Sequence, residues 1–151
     1  MAKVIAVCSS KTKGVRKDNI GKGVLKTEYG LIGDAHADSG WHRQVSLLAR
    51  ESIDKMREMG YDVGPGDFAE NITCEGIELL SLPIGTRLTL GDNVVLEISQ
   101  IGKECHLGCA IFKQTGKCIM PKEGVFARVI QGGPVNTGDE VVVRSKPANK
   151  R

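Results

Sequence analysis

Cys105 stands in the run Lys103-Glu104-Cys105-His106, just after the apolar, alternating stretch Val94 to Gln100. Alternation of this kind predicts a strand. The thiol is therefore expected where a strand hands over to a loop, a place from which a rigid scaffold can present a reactive group. A cation and an imidazole beside a thiol lower its pKa and populate the thiolate, which attacks electrophiles and binds soft metals. The competing expectation is a buried cysteine acting as a small hydrophobe, and the polar neighbours argue against it. Cys109 and Cys118 follow, so three of the five cysteines fall between Ile101 and Cys118. With His106 they make four candidate zinc ligands. No Cys-x-x-Cys pair is present, and adjacent Cys105 and His106 suit a tetrahedral site poorly, so no zinc is expected. A disulfide formed during sulfur exchange is another use of these thiols. Cys8 and Cys74 lie alone in apparent strands and are expected to be structural.

A second concentration of chemistry is Asp34-Ala35-His36-Ala37-Asp38-Ser39-Gly40-Trp41-His42-Arg43. His36 lies between two aspartates that could fix its tautomer or raise its pKa. His42 is expected to be a solvated loop histidine. Arg43 opens a strand, from which its guanidinium could fork onto a phosphate or carboxylate, or pair with Asp34 or Asp38 at the surface. Glu70-Asn71 is a polar pair in an otherwise apolar stretch. Read as strand residues they point to opposite faces, one toward a site or both toward water. The sequence holds no P-loop, dinucleotide glycine fingerprint or Gly-x-Ser-x-Gly elbow. An anion would have to be held by side chains and scattered amides.

These residues must be positioned by a scaffold rich in short strands. The chain has 19 glycines among 151 residues, with three Phe, two Tyr and one Trp, so its core rests on Val, Ile and Leu. Strands are expected at 3–7, 24–27, 44–48, 68–73, 87–90, 94–100, 124–130 and 140–144, with a further short strand between turns within 29–34 and turns at 64–67, 91–93 and 131–134. One helix is expected over 49–59, its apolar face on Ala49, Ile53, Met56 and Met59, stopped by Gly60. About eight strands and one helix predict a mainly β domain: a closed or nearly closed β-barrel with one packed helix. The whole of 1–151 reads as a single domain, its core about 24–144 and its tail 145–151 frayed. The net charge of +3 suits a small anionic ligand and is too weak to argue for nucleic acid. The lysines and arginines of the first 26 positions are expected to be solvated. Val4 to Val7 is too short an apolar run for a membrane span. With five cysteines and no signal peptide, thiols in a reducing cytoplasm are the expectation.

Taken together, the chain resembles a stand-alone MOSC domain, the module found at the C-terminus of molybdenum-cofactor sulfurases. The resemblance runs from about Gly30 to Val143. It rests on the order of Gly33-Asp34-Ala35-His36, Arg43-Gln44-Val45-Ser46-Leu47, Gly64-Pro65-Gly66-Asp67-Phe68-Ala69-Glu70-Asn71-Ile72-Thr73, Leu82-Pro83-Ile84-Gly85, Ile98-Ser99-Gln100 leading to Cys105, and Ala127-Arg128-Val129…Gly132-Gly133…Gly138-Asp139. It implies a β-barrel and a link to the molybdenum cofactor (molybdopterin), a phosphorylated pterin dithiolene carrying the metal. Pyridoxal phosphate binding is implied at the family level only. Cys105 matches the family's sulfur-bearing cysteine, which in cofactor-binding relatives is a ligand of molybdenum. Relatives that reduce amidoximes approach this cysteine with an Arg-x-x-Cys-like run and a nearby proline; Gly102-Lys103-Glu104-Cys105 keeps a cation and lacks both. On this resemblance Cys105 is the catalytic and metal-binding residue, and His36, Arg43, Asn71, Lys103 and Arg128 hold the pterin and its phosphate. The implied role is a sulfur carrier or cofactor-binding protein served by a separate cysteine desulfurase. Two alternatives stand beside it: a molybdoenzyme reducing N-hydroxylated compounds with a separate electron donor, and a non-enzymatic zinc-stabilised interaction module.

Overall fold

The structure is a computed structural model that describes residues 2–12, 15–35, 37–102 and 123–145. His36, the segment 103–122 with Lys103, Cys105, His106, Cys109 and Cys118, and the tail 146–151 lie outside the described residues.

The strands are β1 (Lys3–Ser9), β2 (Asp18–Asn19), β3 (Lys22–Lys26), β4 (Gly30–Leu31), β5 (Val45–Ala49), β6 (Ile72–Glu75), β7 (Arg87–Leu90), β8 (Val94–Ile101), β9 (Val125–Gln131), β10 (Gly133–Asn136) and β11 (Val141–Ser145). Helix α1 (Arg50–Glu58) connects β5 to β6, and Leu79–Ser81 forms a single 3-10 turn. The main sheet has eight strands in the order β11-β7-β8-β9-β5-β6-β1-β2, and a smaller one has the order β10-β3-β4. Among the described residues only β5 and β6 pair in parallel, and α1 supplies the crossover that a parallel pair needs. The fold is thus mainly β with one α-helix among the described residues. The closed ladder expected of a barrel is not among its strand pairings, because the main order has two ends. The start of β1, the strand next to the β2 end, approaches the β11 end at an isolated bridge between Lys3 and Glu140, flanked by Val4 N to Asp139 O and Val141 N to Ala2 O.

The core lies on both faces of β5, where Val45, Ser46, Leu47 and Leu48 are all buried. Val45 and Leu47 belong to the larger apolar cluster, which the small sheet covers with Leu25, Leu31 and Val135. Leu48 faces the other way, toward Ile53, Met56, Phe68 and Phe126. Each fully buried side chain of this size contributes about 1.5–3 kcal/mol, so both clusters are needed to pin β5 and the segment leading into it. Helix α1 ends as Gly60 predicts: Gly60 has φ +98°, its N–H reaches Arg57 O, and Tyr61 N–H reaches Met56 O, a Schellman cap. Ser52, Ile53 and Met56 form its buried face, while Met59 is exposed rather than part of it.

Two expected elements differ. The strand read over 68–73 begins only at Ile72, because the chain turns at 65–68 and Ala69 adopts a left-handed φ of 66°. The turn read at 131–134 is instead the end of β9 followed by β10, with Pro134 opposite Val24. β10 is an edge strand, where the missing N–H of proline is tolerated.

Cys8 and Cys74 are buried and free. Burial pushes each thiol up to about 12. Both should therefore resist a thiol reagent at pH 8 in the native protein and react on unfolding. Peptide mapping after labelling checks this, and native labelling at the rate of a free cysteine would refute it.

Candidate functional site

The bend before β6 and the ends of β1 and β5 meet in a buried polar junction. Asn71 is fully buried. Its Nδ2 donates to Cys8 O at 3.1 Å and its Oδ1 accepts from Ser46 N at 3.0 Å, so the amide ties β1, β5 and β6 together. Neither Asn71 nor Glu70 is the solvated edge residue that the sequence allowed. Glu70 accepts from Gly66 N at 2.8 Å and Thr73 Oγ1 at 2.7 Å through Oε2, while Oε1 is buried without a partner among the described residues. Gly66 has φ +87°, and a Cβ there would lie 2.3 Å from Lys17 O, so the close approach requires glycine.

Burial pushes the Glu70 carboxyl up, against those hydrogen bonds. The folded protein then holds a proton that the unfolded chain releases in the ordinary carboxylate range. This contribution to stability is full at acid pH and is lost as pH rises toward the folded pKa. Denaturant unfolding between pH 5 and 8 should show wild type losing stability relative to Glu70→Gln as pH rises, at up to about 1.4 kcal/mol per pH unit. Parallel profiles would contradict it.

Lys17 departs from the solvated surface expected of the early lysines. Its ammonium and the Asp34 carboxylate are 0% and 1% exposed and 2.7 Å apart. Asp34 Oδ1 also accepts from Ser10 N. Asp34 is thus engaged with Lys17 rather than with Arg43, and Asp38 caps Gly40 N at 2.8 Å.

Arg43 is consequently left for something else. Its guanidinium lies 4.8 Å from the Trp41 ring centroid and 5.5 Å from that of Phe126. Among the described residues no carboxylate pairs with it. The guanidinium thus lies over two aromatic rings, which favour a cation but accept none of its N–H hydrogen bonds, so the N–H groups are left as the reactive part. The backbone approach to this point depends on Gly30: φ is +131° and a Cβ would lie 2.3 Å from Gln44 O. Arg128 resembles Arg43 in sequence but not in situation. It is hydrogen-bonded to both Glu28 carboxylate oxygens and lies 3.8 Å from Glu97. Glu28 in turn is held below the usual carboxylate range, chiefly by the Arg128 hydrogen bonds.

The Arg43 group sits at the exit of β8. His42 meets Gln100 Oε1 at 2.7 Å and packs its ring 4.4 Å from that of Trp41. Gly102 N donates to Gly124 O at 2.7 Å, so both ends of the segment carrying Cys105 are tied at one base. A separate groove of about 760 Å³ lies between α1 and Gly76–Ser81, on residues outside this group. Sequence reasoning missed Phe126 and Gln100, and it left Trp41 and His42 without roles. Trp41 and Arg43, two residues apart, carry the one available signal, a shared side of an extended segment.

A family model for the MOSC domain matches residues 34–142. The chain belongs to the MOSC domain family. That domain is linked to the C-terminal part of molybdenum-cofactor sulfurases. Solved structures agree on the fold. YuaD from Bacillus subtilis is 18% identical, with 93% of this chain and 94% of that chain covered at a TM-score of 0.76. YiiM from Geobacillus stearothermophilus is 16% identical, with 96% and 76% covered at 0.72. YiiM from Escherichia coli is 21% identical, with 99% and 72% covered at 0.69. No curated protein matches. No helix among the described residues of this MOSC domain is long and apolar enough to cross a membrane.

Proposed function

We propose that this MOSC domain binds the molybdenum cofactor and serves it with the Cys105 sulfur. The observation that carries the reading is Arg43: a cation over the rings of Trp41 and Phe126, without a carboxylate partner among the described residues, beside the base of the Cys105 segment. A phosphate accepts two parallel hydrogen bonds from such a fork, and the exposed ring of Trp41 offers a stacking surface for a planar heterocycle. The donor set therefore fits a phosphorylated pterin. Arg43 and Trp41 would hold it, with Lys103 and His36 as further proposed contacts. Asn71 would act through the strand junction, and Arg128 through its pairing with Glu28. When bound, the cofactor would supply a metal held by dithiolene sulfurs.

The part played by this chain is thiolate chemistry. As carrier, the Cys105 thiolate attacks the outer sulfur of a donor protein's cysteine persulfide. One S–S bond forms, the donor's breaks, and the donor thiolate leaves. As ligand, the same thiolate would hold the metal. Protein isolated without reductant should carry pterin, released on denaturation and quantified, and should lose it in Arg43→Ala. A Cys105→Ser variant that keeps all bound cofactor and sulfur would overturn the assignment. Metal rather than sulfane sulfur on Cys105 would turn the reading toward reduction of N-hydroxylated compounds with a separate electron donor, which turnover assays then decide.

A further inference from the structure

The register of β8 against β9 is interrupted beside the Arg43 site. Ile98 pairs with Ala127 and Gln100 with Phe126, so Ser99 is one residue too many. In a regular strand Ser99 and Gln100 would project to opposite faces. The bulge turns both onto His42. Ser99 Oγ donates to the His42 carbonyl, and Gln100 Oε1 meets the His42 Nε2 at 2.7 Å. The Gln100 amide cannot turn round, because its Nε2 donates to Gly102 O at 2.7 Å and a carbonyl only accepts. The network therefore assigns the proton to His42 Nε2. His42 is held at its backbone and at its ring tip by consecutive residues. Its ring packs against Trp41, which in turn covers one face of Arg43.

We propose that Ser99 and Gln100 are positioning residues of the anion site, and that the bulge serves to bring both onto His42. Resting on the reading of Arg43 as the phosphate-binding group, the clamp holds Trp41 and Arg43 in their stacked arrangement before any ligand arrives. Bulges at sheet rims commonly re-aim side chains in this way, and an arrangement fixed in advance spares the ligand the cost of ordering it.

The chain has one tryptophan, so its emission reports Trp41 alone. In the free protein, acrylamide quenching of Trp41 should rise about twofold in Ser99→Ala/Gln100→Leu, as expected if the ring is released. Inorganic phosphate, titrated at constant ionic strength and read by the same emission, should bind about fivefold more weakly for each hydrogen bond removed. Ser99→Thr keeps the hydroxyl and should behave as wild type in both assays. Thermal midpoints show whether each variant is folded; should the double variant unfold, Ser99→Ala against Ser99→Thr carries the test. Wild-type quenching and wild-type phosphate affinity in folded clamp variants would overturn the proposal. If Arg43→Ala leaves phosphate binding unchanged, the reading of Arg43 fails instead, and the quenching measurement alone decides the clamp.

Discussion

Replacing Lys17 by methionine should lower the stability of the fold by about 3–5 kcal/mol, because it removes the ammonium 2.7 Å from the buried Asp34 carboxylate. For a chain of this length the corresponding fall in Tm is on the order of 10 °C. The two charged groups are essentially inaccessible to water and 2.7 Å apart. Their attraction is unscreened, and so is the desolvation cost that either one incurs alone. Asp34→Leu alone should also be severe, since it removes the carboxylate closest to a buried ammonium. The double variant Lys17→Met/Asp34→Leu should recover much of the loss, since two apolar groups replace two charges. A double-mutant cycle measured by urea unfolding should give a coupling of about 2 kcal/mol or more. Additive effects below about 1 kcal/mol each would show that the pair behaves as a surface ion pair. Lys3–Glu75 and Arg50–Asp54 are such pairs, exposed on at least one partner, and their removal should change little.

Arg43→Ala should weaken binding of a phosphorylated pterin, or of inorganic phosphate, by about 10–100-fold, the value of a charge-assisted hydrogen bond of about 1.5–3 kcal/mol. Arg43→Lys should restore only part of this. It returns a charge but neither the planar fork nor the guanidinium's contact with the Trp41 and Phe126 rings. Arg128→Ala should cost less than about threefold, because that guanidinium is already committed to Glu28 and Glu97 and an occupied fork has little left to give a ligand. Isothermal titration of the three variants separates the two arginines. Equal losses at both positions would mean that the Glu28 pairing opens on binding.

The contrast between these arginines marks the limit of reading the chain alone. Both stand at or in strands beside apolar residues. The carboxylate that occupies Arg128 comes from Glu28, 100 positions away, and no local pattern announces it. Lys17 is a similar case. It looks like any of the early surface lysines, and its burial is decided by where Asp34 lies in space. Period was legible: the alternation of Val94 to Gln100 became β8, and the spacing of Ile53 and Met56 became the buried face of α1. Conformational exceptions were not. The left-handed Ala69 cut short the strand read at 68–73, and Pro134 disguised β10 as a turn because an edge strand can do without its N–H. The mainly β class could be inferred from composition; the strand count could not, since about eight strands were read where eleven form among the described residues. Whether the strands close on themselves depends on pairing order, which local sequence does not encode. The bulge at Ser99, with the convergence of Trp41, His42, Arg43, Gln100 and Phe126 that it permits, arises only when β8 and β9 are laid side by side.

The most direct measurement is intact mass spectrometry of freshly isolated, non-reduced protein, wild type beside Cys105→Ser. A cofactor-handling thiol predicts bound pterin on the native wild type, together with either a gain of about 32 Da that maps to Cys105, the mass of one added sulfur, or molybdenum that is lost with the Cys105 sulfur. Wild-type protein with neither pterin, sulfur nor molybdenum, or a serine variant carrying the same load as wild type, would contradict it.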